Sequence, residues 1–335
     1  NYFRSSNDDK DHDIFLKIAE DFYSYYQKYL DMHQQIDFND MINESSKLIK
    51  KYGLKKHYRY ILVDEYQDTT YTNYNLIKSL QDKTDAHLTV VGDDWQSIYG
   101  FRGTNIEFFS HFEEYFENPQ RIFIEKTYRN PQELIDIAGS FIMKNPKQIR
   151  KSLKSPKNLK KPVKIIYPQK NPIEKREMIY NLIKDLSKKS EDVLILGRTN
   201  NNINQFIKHR NLVKKGNLKK DKFLRILDKT DKSMNNVYYR TLHSSKGLEA
   251  DNVIIINMVD DYLGFPSKLK THSVLNYVNT KNYDYKYSEE RRLFYVGLTR
   301  SKNNVYLISD KNNPSEFIEE LIDDSLENLE IIEYN

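Results

Sequence analysis

Residues 61–70 read ILVDEYQDTT. The β-branched and apolar run Ile61–Val63 stops at two adjacent carboxylates, Asp64 and Glu65. An apolar run that ends abruptly in acids predicts a buried strand whose C-terminal end opens into a site. Two carboxylates there suit metal-assisted phosphate chemistry. One can hold Mg²⁺, mostly through water, and the other can orient an attacking water. Taken alone, the pair fits an acidic turn equally well.

A second stretch works outward from the first. Residues 90–104 read VVGDDWQSIYGFRGT, after the apolar run His87–Val91. Gly92 and the polar residues beyond it predict a loop leaving a second buried strand. Adjacent parallel strands would open both loops on one sheet edge and bring Gln96 near the carboxylates. A Gln there can bridge an attacking water and a γ-phosphate; elsewhere it is a solvent-facing turn residue. Trp95, Tyr99 and Phe101 interleave with Arg102 in this Gly-rich loop. That pattern suits stacking on unpaired bases, at about 1–3 kcal/mol per base and without reading sequence. An isolated aromatic would more simply be core.

Three more stretches follow in order: TYRN (127–130), TLHSSKGLEADNVII (241–255) and EERRLFYVGLTR (289–300). Together the five resemble the ordered motifs of the UvrD/Rep-like superfamily 1 DNA helicases, over roughly Ile36 to the end. The GDDWQ form is most similar to the helicase IV branch. The resemblance implies an α/β fold of two RecA-like parallel-sheet domains with ATP and Mg²⁺ between them. It implies Asp64 on the metal and Glu65 on the attacking water. Gln96, Arg129 and Arg300 would sense and stabilise the γ-phosphate, and such an arginine can be worth about 10³–10⁵ in rate. Tyr128 would meet the adenine; Gly247 and Glu249 would meet the nucleotide, with Glu249 on its ribose. Tyr99, Phe101, Arg102, Thr241 and His243 would contact single-stranded or partly duplex DNA, along which the parent would move 3′ to 5′.

Composition bounds this reading. A chain of 335 residues suffices for two ordinary domains. Its 53 basic and 48 acidic residues leave a net charge of +5, which permits a polyanion partner without demanding one. The 26 Tyr are spread along the chain and carry no weight as stacking evidence. The absence of Cys excludes disulfides and Cys-ligated metal sites and fits a reducing cytosol. Apolar runs are strand-length, as in Val253–Ile256, so no membrane span is expected.

The remaining segments fill in the two domains. Ile14, Ile18, Phe22, Tyr25, Tyr26 and Tyr29 predict an amphipathic helix over Ile14–Leu30, with residues 1–35 a candidate helical insertion. A second helix spans Ile36–Tyr52, capped by Asp37 and stopped by Gly53. A third lies around Asn73–Gln81, and a fourth over Asn105–Glu117. The domain boundary is placed near Pro119, giving domains 1–119 and 120–335. Arg121–Glu125 reads as a short strand. Asn130, Pro131 and Glu133 read as a capping box. Lys144–Lys164 holds nine Lys or Arg and no acid; it can track a phosphate backbone or be a solvated surface. Strands are expected at Val163–Tyr167, Asp192–Gly197, Val237–Arg240 and Val305–Ile308. Helices are expected around Pro172–Lys188, Asn202–Arg210, Glu289–Arg300 and Pro314–Ile322. Lys214–Lys222 is a basic patch of no assigned use, Leu263–Asn282 a polar excursion, and Asp323–Glu333 an acidic surface tail.

One family element is missing from the sequence. The phosphate cradle G-x-x-x-x-G-K-[ST] requires Gly followed by Lys, and no Gly in this chain is followed by Lys. The first residue is not Met. The expectation is therefore a fragment that begins inside an incomplete first domain and does not hydrolyse ATP alone. The alternative is a non-catalytic module that binds DNA or a partner through a degenerate motor fold.

Overall fold

The computed structural model of the chain describes residues 7–169, 171–188, 191–206, 211–215, 224–229, 236–269 and 285–334. The basic patch Lys214–Lys222 from residue 216 on, the end of the Asn202–Arg210 helix and the later half of the Leu263–Asn282 excursion lie outside these. Two compact units emerge. Residues 7–92 and 100–109 make the first; residues 93–99, 110–269 and 285–334 make the second.

The first unit begins with two helices. Helix α1 (Asn7–Met32) carries the expected stripe, yet Ile14, Ile18, Phe22 and Tyr25 are all exposed and Leu30 is buried. Helix α2 (Phe38–Tyr52) starts at Asp37, whose carboxylate accepts from the Asp40 amide at 2.8 Å while Asp40 accepts from the Asp37 amide at 3.2 Å. This reciprocal cap satisfies two end donors that the helix itself cannot. Gly53 ends it with φ 72°, donating to Ile49 O. Strand β1 (Tyr60–Val63), helix α3 (Tyr71–Thr84) and strand β2 (His87–Val90) follow. The strands pair in parallel, from Tyr60 opposite His87 to Val63 opposite Val90. The two strands were expected to be buried. They alternate exposed and half-buried instead, with Leu62 76% exposed. A sheet of two strands has little to cover it, and Tyr60 and Leu62 stand in solvent. The helix expected over Asn105–Glu117 breaks at His111 (φ −115°, ψ 42°) into α4 (Glu107–Ser110) and α5 (Phe112–Tyr115), the latter part of the second unit.

The second unit is an α/β layer structure. Its elements are α6 (Gln132–Met143), β3 (Val163–Tyr167), α7 (Pro172–Lys188), β4 (Val193–Gly197), α8 (Asn202–Phe206), β5 (Leu212–Lys215), β6 (Leu224–Asp228), β7 (Val237–Thr241), β8 (Ala250–Met258), α9 (Ser288–Leu298), β9 (Ser301–Ser309), α10 (Glu316–Ser325) and β10 (Leu329–Glu333). The sheet order is β10-β3-β9-β8-β4-β7-β6-β5. Strands β10 through β7 are parallel; β6 runs antiparallel to β7, and β5 antiparallel to β6. Both faces are covered, which is why β4 and β8 read as continuous apolar runs. Leu134, Phe141, Phe294 and Phe317 of α6, α9 and α10 pack on one face. Ile179, Ile183 and Ile203 of α7 and α8 pack on the other. No helix of the described residues is long and apolar enough to cross a membrane.

Three expectations are corrected here. Arg121–Glu125 forms no strand: Ile122 and Ile124 are exposed, and pairing with a neighbour is limited to the bridge Lys126–Lys154. The acidic tail Asp323–Glu333 is instead the end of α10 and then β10, whose Leu329 packs into the core. As the edge strand of the sheet, β10 puts Leu329 into one core and Ile332 against the other, while Ile331 and Glu333 are exposed. Asn130 does not cap α6. Pro131 stands at that position, and the Asn130 amide donates to Thr299 O (3.1 Å) and Ser301 O (2.6 Å), while Glu133 accepts from the Leu159 amide. A buried amide donor serving two carbonyls outweighs a cap, and the Gln132 backbone amide at the helix start donates to Lys157 O instead.

This correction has a test. A capping role tolerates Asn130→Asp, because both residues cap well. The observed role does not, since a carboxylate would face two carbonyl oxygens. Asn130→Asp is expected to destabilise by roughly 2 kcal/mol or more, read as a lowered Tm; an unchanged Tm refutes the tie.

Candidate functional site

In the first unit the site residues sit where β1 ends. The ladder runs one step past the strands: Val91 donates to Val63 O (2.8 Å) and Tyr66 donates to Val91 O (2.9 Å). Asp64 and Glu65 thus emerge at a fixed place, both exposed. Asp64 Oδ1 accepts from the Glu65 amide at 2.8 Å. Glu65 has φ 52°, ψ 39°, a left-handed conformation uncommon for a side chain other than Gly, Asn or Asp. Its Oε2 accepts from Gln67 Nε2 at 2.5 Å. Gln67 is buried and lies against Gly92, where an added Cβ would stand 2.5 Å from Gln67 Oε1 and 2.9 Å from the Phe109 ring. The missing side chain at Gly92 therefore lets Gln67 hold the carboxylate of Glu65. Phe101 and Arg102 also belong to this unit. Phe101 is 53% exposed, with the Arg102 guanidinium 5.4 Å from its ring centre.

In the second unit, residues 93–99 are fastened into the core. Trp95 is 1% exposed, donates from Nε1 to Ile149 O at 2.9 Å and meets Tyr295 edge-on at 5.2 Å. Its ring is core and unavailable for stacking on a base. Burial in the same place pushes the Tyr295 hydroxyl pKa well up. Asp94 is fully buried and accepts from Gln148 Nε2 (2.6 Å) and the Ile149 amide (2.8 Å), with Lys151 Nζ 2.5 Å from its Oδ1. Lys151 also pairs with Asp93. Arg292, 2% exposed, donates to Ser97 O and to Gln148 Oε1.

That fastening places two of the expected residues. Gln96 donates from Nε2 to Asp93 Oδ2 at 2.7 Å and accepts at Oε1 from Arg300 Nη2 at 3.3 Å. Arg300, 1% exposed, also donates to Val296 O, Leu248 O and Thr299 Oγ1. Tyr99 donates its hydroxyl to His243 O at 3.1 Å and has Lys246 Nζ 5.4 Å from its ring. Thr241 and Ser244 share a hydroxyl hydrogen bond of 2.7 Å. Gly247 has φ 77° with open space where a Cβ would stand, so the backbone conformation is what calls for glycine.

Arg129, Glu249 and Lys302 form one exposed cluster. Arg129 Nε lies 2.9 Å from Glu249 Oε2, and Lys302 Nζ lies 3.1 Å from Oε1. Hydrogen bonds from Lys302 first and Arg129 second hold the Glu249 carboxyl below its usual range. Tyr128 is 63% exposed, with Lys126 Nζ 5.2 Å from its ring. Sequence reasoning missed Asp94, Gln148, Lys151 and Lys302. The doubled acid in GDDWQ was a signal for Asp94. Its cation lay hidden in a basic run that reads equally as a phosphate track or a solvated surface.

The family models UvrD/REP helicase N-terminal domain and UvrD-like helicase C-terminal domain match residues 2–117 and 208–312. DNA helicase IV of Escherichia coli is 28% identical over 285 residues, 85% of this chain and 38% of that protein. A probable DNA helicase of Mycoplasma pneumoniae is 28% identical over 306 residues, 88% of this chain and 53% of that protein. ATP-dependent DNA helicase PcrA of Staphylococcus aureus is 31% identical over 195 residues, 56% of this chain and 27% of that protein. The chain thus spans about half, or less, of the length of these relatives.

Two outcomes are expected of this geometry. Lys151→Met leaves a buried carboxylate without its cation and should cost about 3–5 kcal/mol, whereas Asp94→Asn with Lys151→Met should cost much less than the sum of the single changes. Additive denaturation midpoints would refute the pair. The lowered Glu249 pKa means that its bridge contributes above the ordinary carboxylate range and is lost as pH falls through the folded-state value. The Tm difference between wild type and Glu249→Gln should be small at pH 7, because the pair is exposed, and should shrink away as the carboxyl is protonated in acid. A difference independent of pH would refute it.

Proposed function

We propose that this chain, which belongs to the UvrD/Rep-like family of superfamily 1 DNA helicases, supplies the sensing and coupling parts of an ATP-dependent motor. The whole protein would move 3′ to 5′ along single-stranded DNA in the cytoplasm and open partly duplex DNA. The observation that carries the reading is the Gln96–Arg300 hydrogen bond. It joins a loop amide to a buried guanidinium held by three other acceptors, so the pair is fixed by the chain's own groups. Preorganised donors of this kind stabilise charge that develops during reaction at little reorganisation cost.

The roles follow from the contacts. Asp64 and Glu65 are exposed carboxylates at a strand end, a donor set that fits Mg²⁺, which takes one or two carboxylates and fills the rest with phosphate and water. Asp64 would hold the ion, which when bound neutralises phosphate charge. Glu65, kept in place by Gln67, would orient the attacking water and accept its proton. With its amide nitrogen committed to Asp93 and one lone pair of its oxygen to Arg300, Gln96 would accept from the attacking water through the oxygen's second lone pair. Arg300 and Arg129 would meet the γ-phosphate, Arg129 by exchanging Glu249 for it. The exposed ring of Tyr128 would cover the adenine. Gly247 would bring backbone close to the nucleotide and Glu249 would take its ribose. Tyr99, Phe101, Arg102, Thr241 and His243 would face DNA. The sequence has no Gly-Lys pair to form the phosphate cradle, so these residues alone would not turn over ATP; that absence also favours a second reading, a non-catalytic DNA-binding module.

DNA-stimulated ATP hydrolysis by the intact protein separates the two readings. Arg129→Gln changes an exposed residue, so its fold should persist, and kcat is expected to fall about 10³-fold or more. Turnover unchanged in Arg129→Gln overturns the role assignment. Absence of hydrolysis in the wild type, with or without oligo-dT, favours the module.

A further inference from the structure

Between α6 and β3 the chain runs for some twenty residues without a helix or strand, and it is nonetheless fixed along its length. Trp95 Nε1 donates to Ile149 O (2.9 Å). Gln132 donates to Leu153 O (3.2 Å) and accepts from the Ser155 amide (2.7 Å). Lys154 bonds Glu125 and Thr127 through its backbone, Gln132 donates to Lys157 O, and Glu133 accepts from the Leu159 amide (2.8 Å). Lys161 is held at φ 50°, which an L side chain adopts only when its surroundings impose it. This is a rigid strap, not a solvated loop.

The strap has an inner and an outer set of charges. Lys144, Lys151 and Lys164 turn to carboxylates of their own unit. Arg150, Lys154, Lys160 and Lys161 are exposed and make no ion pair among the described residues. No acid occurs anywhere from Lys144 to Lys164, and no aromatic residue occurs from Arg150 to Lys161. Cations that hold no ion-pair partner suit a polyanion, because they gain its charge without first losing a carboxylate. A surface for unpaired bases interleaves aromatics with cations; this one does not, so it reads phosphates alone.

We propose that the strap Arg150–Lys161 is a separate nucleic-acid contact that grips the phosphate backbone of duplex DNA through Arg150, Lys154, Lys160 and Lys161. The proposal rests on the DNA-motor reading above and adds to it a surface for the paired part of the substrate. The strap's backbone is tied to the start of α6 through Gln132 and Glu133, so the duplex would be held by the same unit that carries Arg300.

The test is fluorescence anisotropy of the full chain with a hairpin duplex and with oligo-dT, each across a range of salt concentrations. Changing Arg150, Lys154, Lys160 and Lys161 together to Gln should weaken duplex binding and flatten the slope of log affinity against log salt by about 0.9 for each phosphate no longer neutralised. Oligo-dT affinity should stay as it was. A charge-matched control, with Lys175, Arg176, Lys184 and Lys188 of α7 changed to Gln, should leave both unaltered. An unchanged duplex slope overturns the strap and leaves the motor reading standing. Equal losses on duplex and oligo-dT, or in the α7 control, reduce the effect to net charge and overturn it too. If the wild type binds neither DNA, the motor reading fails and the strap with it.

Discussion

A carboxylate buried from water must be compensated, and Asp94 is compensated by Lys151, Gln148 and a backbone amide. The cost of leaving such a charge unpaired fixes where residues 93–99 lie. Trp95 adds apolar burial, and Arg292 adds a donor to the backbone of Ser97. Two parts of the site in the second unit depend on that placement. Gln96 reaches Arg300 because Asp93 and Asp94 are held on either side of Lys151. Tyr99 reaches the Thr241–Glu249 loop because Ile98 before it is core. One pair of neighbouring acids therefore sets the position of residues proposed for both nucleotide and DNA.

The same logic separates the rigid from the exchangeable parts. Arg300 is buried and bonded to four acceptors; Arg129 is exposed and held by one carboxylate that another cation shares. The first is an immobile element of the site. The second can leave its partner at small cost, since exposed pairs contribute little. Glu65 and Gln67 in the first unit repeat the contrast, with a buried amide steadying an exposed carboxylate across the gap left by Gly92.

What the chain disclosed in advance was local. The bounds of β1 were readable because Val63 gives way at once to Asp64, and α2 because Asp37 and Gly53 mark its ends. The site residues could be named because their spacing within each short stretch is fixed by one strand, turn or helix end. Long-range pairings were not readable. Lys151 sits far from Asp94 and inside a run that reads equally as a phosphate track or a solvated surface. Asn130 has the right neighbours for a cap and is drawn away by Thr299 and Ser301. The LEIIE of β10 looks like an acidic tail until β3 is there to pair with it, and β1 looks buried until its sheet is seen to have two strands.

The place of β3 in the sheet has a consequence for how the chain is made. Val163 pairs with Val305 on one side and Leu329 on the other. Both partners are synthesised long after it. On the ribosome, VKIIY therefore waits with two open edges while residues up to Glu333 are still being added, a delay that raises the hazard of pairing with another chain. The strap just before it, acid-free and rich in lysine, places like charges beside the waiting strand. Those charges would keep two nascent copies apart until β9 and β10 arrive.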